Sequence, residues 1–281
     1  LNFDEYDLVI SVTHEFAKAV ITKPSTIHIC YCLNPVGYLW DSYEDYFSTK
    51  PKLFKSLSLP LIKILRIYDK VIANRPDKIL TISKTVQERI KRIYGRESEI
   101  IYPPVQLPET SPLEGKGFYL IVSRLVPQKR IDIAVEAFNN LGLPLKIIGT
   151  GKEFKSLKSL SKSNIEFLGY LPDVEVAKYY ASCKAVIIPG EEDFNLVAVE
   201  AQAYGKAVIA YGKGGVTETV VEGVTGFFFH KQNAKELAQL VSDVLASKNL
   251  EKIKPDNCKE QAKKFSFERF QKELIKYVRR R

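Results

Sequence analysis

Methionine is absent from this sequence, and so is any apolar run long enough to span a membrane. Because the chain opens on Leu1 with no initiating methionine, we read it as missing its natural N-terminus or as a fragment. Residues 1–10 read as a turn entering a strand and do not resemble a signal peptide. Cysteine is scarce: Cys30, Cys32, Cys183 and Cys258 are the only four. Cys30 and Cys32 alternate along a strand, so their side chains share a face, but a C-x-C spacing is neither a redox nor a zinc pattern. Without a secretory signal, four such cysteines predict reduced, buried thiols in the cytoplasm. The three histidines are scattered, so no metal site is expected. Internal repeats and low-complexity tracts are missing too.

The rest of the composition is that of a soluble globular protein, with 45% hydrophobic and 27% charged residues. A length of 281 residues suits one large or two medium domains with a sizeable core. The formal charge of +9 admits nucleic acid, an anionic membrane or an anionic substrate as partner. No nucleic-acid motif accompanies that charge, and a solvated lysine-rich surface explains it as well. Residues 50–76 hold Lys50, Lys52, Lys55, Lys63, Arg66, Lys70 and Arg75 among Leu, Ile, Phe and Tyr. Pro60 interrupts the run, which predicts two amphipathic helices. The expectation is that they pack on a sheet with their lysines in water, the alternative being peripheral contact with an anionic membrane.

The pattern is organised around residues 185–205. Residues 185–188 form a short apolar run closed by Pro189, the signature of a buried parallel strand. An acidic turn, Gly190 to Asp193, follows, and from about Asn195 the residues Leu196, Val199 and Ala203 recur at helical spacing up to Gly205. A second apolar run, 207–210, comes next. Strand, tight loop, helix and strand make the unit of an open α/β sheet, in which ligands bind beyond the carboxyl ends of the strands. The helix start offers unpaired backbone N–H groups from about Asn195 to Val197, an anion site suited to a diphosphate. Carboxylates beside it, Glu192 and Glu200, make sense if they accept from neutral hydroxyls of a sugar or ribose. Glu191, Glu192 and Asp193 alone would read as acids favouring a helix N-terminus. Glu200 in the middle of an apolar helix needs a partner.

Strands are also expected over residues 6–12, 27–32, 78–83, 100–105, 118–122, 145–148, 165–168 and 227–229. Helices are expected over 13–21, 85–94, 131–139 and 234–246, with another from about Val216 and a last one from Phe265. Residues 106–117, rich in Pro and Gly, read as a linker. Arg124, Lys129 and Arg130 lie in the loop after strand 118–122, where cations can neutralise a diphosphate leaving group.

These motifs resemble those of the retaining family-4 glycosyltransferases. Glu192 and Glu200 fit the E-x7-E signature, and Ser123-Arg-Leu-Val-Pro-Gln-Lys-Arg130 looks like the diphosphate-binding segment. Ile148-Gly-Thr-Gly151, Phe167-Leu-Gly-Tyr-Leu-Pro172 and Gly212-Lys-Gly-Gly-Val-Thr-Glu218 follow in the family's order and spacing. The wording around Gly190-Glu-Glu-Asp-Phe and Ala201-Gln-Ala is closest to the GDP-mannose-dependent mannosyltransferases of O-antigen and polysaccharide synthesis. The resemblance implies an α/β protein of GT-B fold, with two Rossmann-like domains whose parallel sheets face across a cleft. Residues 1–107 would be an incomplete acceptor-side domain, 108–264 the nucleotide-sugar domain, and 265–281 a terminal helix crossing back to the first domain.

By resemblance, Arg124 and Lys129 offset charge on the departing diphosphate, and Glu192 holds sugar hydroxyls and supports an oxocarbenium ion. Glu200 would hold the ribose, with Phe194, Asn195, Leu196, Gly149, Gly151, Tyr170 and Leu171 completing the donor site. Asn34, Tyr38, Trp40 and Asp41 fall in a stretch similar to the family's C-Y-C-H-T-P-x-R-Y-x-W-D and would line the acceptor side. The implied activity is retaining transfer of mannose from GDP-mannose, or of another hexose from its nucleotide sugar, to a glycan or lipid-linked acceptor. No metal and no nucleic acid would take part. The implied place is the cytoplasm, with possible association at the inner face of the membrane. Leu33 stands where the family has His, Gly37 where it has Arg, and Asn195 where it has Gly. Those departures motivate one rival, a relative that binds a nucleotide sugar or partner but turns over poorly; a second is different chemistry on the same fold, such as a nucleotide-sugar epimerase.

Overall fold

The computed structural model describes residues 3, 5–47, 50–108 and 117–280. The chain forms two compact units, Leu1–Tyr102 and Pro103–Arg281. Most of the expected linker, residues 109–116, lies outside the described residues.

The first unit is a four-stranded parallel sheet ordered β1-β2-β3-β4, built from Leu8–Thr13, Ile27–Cys32, Lys78–Thr81 and Glu99–Ile100. Its helices are α1 (Tyr43–Phe47), α2 (Lys52–Ile72) and α3 (Lys84–Tyr94). Ser83 caps α3 by accepting from the Val86 N–H, and Gly95, at φ 66°, ends it in the left-handed conformation that glycine tolerates. Three expectations change. Residues 13–21 hold only a single 3-10 turn, Ala17–Ala19. Of the strand expected at 100–105, Glu99–Ile100 is in the sheet, while Val105 bridges Ser266 in the second unit. Residues 52–72 form one helix through Pro60, not two. A proline removes one backbone bond and crowds the preceding turn, but helix on both sides of it outweighs that loss here.

The second unit is a six-stranded, all-parallel sheet ordered β10-β9-β8-β5-β6-β7. Its strands are β5 (Tyr119–Val122), β6 (Leu145–Ile148), β7 (Ile165–Gly169), β8 (Ala185–Ile188), β9 (Ala207–Tyr211) and β10 (Gly226–Phe229). Between them run α4 (Ile131–Leu141), α5 (Phe154–Leu160), α6 (Asp173–Ser182), α7 (Leu196–Ala203) and α8 (Val216–Thr219). After β10 come α9 (Ala234–Ala246), α10 (Asn249–Lys252), α11 (Pro255–Lys263) and α12 (Phe267–Arg279). Both faces of this sheet are buried, as continuous apolar strands require. Tyr119, Ile121, Ile147, Ile187 and Ile209 pack with α4 and α9 on one side. Their neighbours in sequence, Leu120, Ile148, Val186, Val208 and Ala210, pack with α7 on the other.

Strand order fixes where a ligand can sit. From β5 the chain moves outward through β6 and β7, then returns to β8 on the other side of β5 and moves outward again. The connections after β5 and after β8 therefore diverge, leaving a crevice at the carboxyl ends of these two strands.

Candidate active site

The loop after β5 carries Arg124 and Lys129, and the loop after β8 carries Glu192, so the strand order alone brings these residues to one crevice. Close backbone packing joins the two loops. A Cβ on Gly190 would meet the Gln128 carbonyl oxygen at 2.9 Å and Lys129 Cα at 3.0 Å. A Cβ on Gly215 would lie 2.3 Å from the Asp193 oxygen, and the Gly215 N–H donates to the Glu192 carbonyl at 2.7 Å. The glycine loop 212–215 thus braces the acidic turn from behind. Gly214 sits at φ 79° with the Glu192 oxygen 2.4 Å from where its Cβ would be.

Lys129 Nζ donates to Glu192 Oε2 at 2.5 Å, with both side chains about one-fifth exposed at 23% and 18%. Burial pushes the Glu192 carboxyl above its ordinary range, while the Lys129 ammonium and the more distant Arg124 guanidinium pull it back. Glu191 is turned away to Lys213, 3.1 Å distant. Arg124 is exposed, and its guanidinium has no hydrogen-bond or ion-pair partner among the described residues. The two cations expected to act as a pair are thus in different states: Lys129 is engaged with a carboxylate, and Arg124 is open to an anion.

Asn195 is the N-cap of α7 at φ 74°, ψ 81°. Left-handed backbone there suits glycine, and asparagine tolerates it better than most other residues. Its side chain folds back and accepts from the Ala198 N–H at 2.8 Å. That bond takes one of the free helix donors, while the Leu196 and Val197 N–H groups reach no acceptor among the described residues. Two of the three non-glycine residues with positive φ among the described residues, Arg130 and Asn195, fall in these two loops. Such backbone collects where a site over-determines its loops.

Glu200 finds the partner its position demands. The Tyr180 hydroxyl, on α6, donates to Glu200 Oε2 at 2.8 Å, and Tyr204 stacks on Tyr180 with centroids 5.6 Å apart. Burial raises the Glu200 carboxyl above its ordinary value, and the Tyr180 bond opposes that shift. Burial and the Glu200 charge together push the Tyr180 hydroxyl well up.

Other expected donor residues take different places. Phe194 is buried, its ring edge-on to Phe265 at 5.5 Å, so its side chain anchors the loop and only its backbone can face a ligand. Gly149 and Gly151 pack closely on the chain's own backbone. Cβ atoms there would lie 1.8 Å from the Ser123 oxygen and 2.2 Å from the Leu125 oxygen. Tyr170 is 77% exposed, Leu171 packs against the α7-side core, and Leu196 is 43% exposed.

The four expected acceptor-side residues follow β2 in the first unit. Asn34 Oδ1 accepts from Arg89 at 3.3 Å, and Tyr38 meets Tyr46 edge-on at 5.9 Å. Both carboxylate oxygens of Asp41 accept from Arg92, at 2.6 and 2.7 Å, and Arg89 Nε lies 3.1 Å away. Trp40 donates its indole N–H to Asp69 Oδ2 at 2.8 Å, and Tyr94 donates to the same oxygen at 2.8 Å. The other oxygen of Asp69 faces Lys18 Nζ at 2.8 Å, with both side chains almost wholly buried. Arg66 completes the clamp, donating to the Leu39 carbonyl at 2.6 Å with its guanidinium 5.3 Å from the Trp40 ring. Sequence reasoning missed Lys18, Asp69, Arg66 and Tyr94, and in the second unit Tyr180. None of them stands at a telling distance in sequence from the residue it holds.

Among the described residues no group of three or more His, Cys, Asp or Glu is placed to hold a metal ion, and the four cysteines are free and buried. Solved structures bear on the fold. Sucrose-phosphate synthase from Thermosynechococcus elongatus superposes with a TM-score of 0.77 at 19% identity, covering 98% of this chain and 74% of that one. Anabaena HepE in complex with UDP-glucose gives 0.78 at 21% identity, covering 99% and 79%. The fold is GT-B. Within it, the chain belongs to the Glycosyl transferases group 1 family, whose model matches residues 106–265. It is 33% identical over 210 residues to an uncharacterised glycosyltransferase of Methanocaldococcus jannaschii, covering 73% of this chain and 60% of that protein. It is 30% identical over 179 residues to the lipopolysaccharide 1,2-N-acetylglucosaminetransferase of Salmonella typhimurium, covering 56% of this chain and 45% of that protein. The chain therefore spans less than two thirds of the length of these curated relatives.

Proposed function

We propose that the protein is a retaining glycosyltransferase that moves a hexose from a nucleotide sugar to a glycan or lipid-linked acceptor. The observation that carries this reading is the crevice between the loops after β5 and β8. There an open guanidinium, two unpaired helix N–H groups and a carboxylate held by an ammonium stand together. In this reading Arg124 and the Leu196 and Val197 N–H groups receive the diphosphate and stabilise charge as it leaves. An ammonium has three donors, and Lys129 gives one to Glu192, so it can reach a phosphate oxygen without releasing the carboxylate. Glu192, held in place by that neighbour, would accept from sugar hydroxyls and support positive charge at the reacting carbon. Glu200, oriented by Tyr180, would accept from the ribose hydroxyls.

The motif wording around residues 190–203 favours GDP-mannose as donor. A second reading, a UDP-hexose, is favoured by the HepE complex with UDP-glucose. Calorimetric titration with GDP and with UDP separates them, repeated on Arg124→Ala and Glu200→Ala. Micromolar GDP binding, weakened at least tenfold by both changes and indifferent to magnesium, supports the mannosyl reading; hydrogen bonds to charged groups are each worth about 1.5–3 kcal/mol. Preference for UDP moves the donor to the second reading. Binding to neither nucleotide refutes the site. A tight donor complex with no sugar transfer or release makes the chain a binding relative.

A further inference from the structure

The longest helix of the first unit leaves its apolar side uncovered. Leu53, Leu57, Leu61, Ile64, Tyr68 and Val71 are between 46% and 72% exposed. At 100° per residue they fall within a sector of about 80° that runs the length of α2. Ile62 and Asp69, about 130° round from the middle of that sector, are buried. Sequence reading expected apolar residues inward and lysines outward; the outer surface is instead apolar with lysines beside it. Lys52, Lys63 and Lys70 are exposed and lie together on one flank, about 90° from the edge of the apolar sector. Lys70 reaches back to within 5.4 Å of the Trp40 ring. The only acid in α2 is Asp69, which is 0% exposed and bound to Lys18. Every exposed charge on this helix is therefore positive.

We infer that α2 docks the protein on an anionic lipid surface, its leucine and isoleucine row entering the headgroup boundary and its lysines meeting lipid phosphates. Charge of one sign beside an apolar stripe is the pattern of a helix lying in the plane of a membrane. Lysine stems lie along the apolar boundary while their ammonium groups stay in water. A second copy of the chain fits this face less well. Two such helices would bring like charges together. The stripe, about 30 Å long and roughly 10 Å wide, offers about 300 Å², against about 800 Å² per partner in a stable interface. The helix docks rather than spans, since no described helix is long and apolar enough to cross a bilayer. This inference stands whether or not the chain transfers sugar.

Co-sedimentation with vesicles tests it. One set is phosphatidylglycerol and phosphatidylcholine in equal parts, and the other is pure phosphatidylcholine, both at about 0.1 M salt. The chain is expected to bind the anionic set at least tenfold more strongly. Leu57→Asp with Ile64→Asp, both at exposed positions, should weaken that binding at least tenfold. Lys52→Gln with Lys63→Gln should weaken it about 25-fold, at about fivefold per lysine, and leave binding to pure phosphatidylcholine unchanged. Thermal melting should be the same for all three proteins. The inference is overturned if the unaltered chain ignores anionic vesicles, or if neither pair of changes alters binding. It is equally overturned if sedimentation equilibrium shows a micromolar dimer that Leu57→Asp with Ile64→Asp dissolves, for the face would then belong to a second copy.

Discussion

Asn195 offers the sharpest test of how the crevice is built. Two local features meet in it: a side-chain cap on the Ala198 N–H at 2.8 Å and a backbone at φ 74°. Asn195→Ala removes the cap, which costs about 1 kcal/mol, and leaves a Cβ-bearing residue without asparagine's tolerance of left-handed backbone, roughly another 1 kcal/mol. The total of about 2 kcal/mol should lower the melting temperature by about 4–8 °C for a unit of this size. Asn195→Gly also loses the cap, but glycine at the N-cap costs only a few tenths and occupies this backbone freely. It should stay within about 0.5 kcal/mol of the unaltered protein. Urea unfolding followed by far-ultraviolet circular dichroism measures both. Because the glycine variant keeps the Leu196 and Val197 donors in place, it should also bind the donor nucleotide as the unaltered protein does. Equal loss in the two variants would refute the backbone argument. An alanine variant as stable as the original would refute the cap as well.

Two further outcomes follow from buried carboxylates. Glu200 has a raised folded-state value, so its burden on stability is absent below its ordinary value of 4.5 and grows as pH rises through the folded one. Glu200→Gln, which still accepts from Tyr180, should therefore match the original near pH 4 and exceed it in stability at pH 7. The same change should cost ten- to a hundredfold in nucleotide affinity, so urea melts at the two pH values and one titration check both halves. Asp69→Ala would strand the buried Lys18 ammonium and leave the Trp40 and Tyr94 donors unmatched, a loss of about 3–5 kcal/mol. Trp40 is the single tryptophan, so its fluorescence should shift to the red at temperatures where the original is still folded.

The second unit was largely legible because a doubly buried parallel sheet writes each strand as a short apolar run. Residues 145–148, 185–188 and 234–246 were read to the residue. Elements whose inward side is not apolar were missed. α11 buries Cys258, Gln261 and Ala262, and α6 exposes Val174 at 74% while burying Tyr180, so neither shows a stripe. In α2 the periodicity was plain, but periodicity says that a helix has two sides and not which one is covered. Pro60 was given too much weight as a breaker. At the site, the residue types and their loops could be read from the motif. Their pairings could not, since the Lys129–Glu192 and Tyr180–Glu200 bonds join different segments of the sheet. The glycines at 149 and 151 show the same limit, because a need for close approach does not name the thing approached.

The shape of the crevice beyond β5 and β8 is set by main chain resting on main chain at Gly149, Gly151, Gly190, Gly214 and Gly215. The side chains of Gln128, Leu196 and Tyr170 make no hydrogen bond or ion pair among the described residues that would hold these loops. A saturation library over the crevice should thus divide cleanly. Replacement at the five glycines would displace whole loops, whereas replacement at Gln128, Leu196 or Tyr170 would change only the surface that a ligand meets. New ligand preferences can arise at this crevice by relettering a frame that itself stays still.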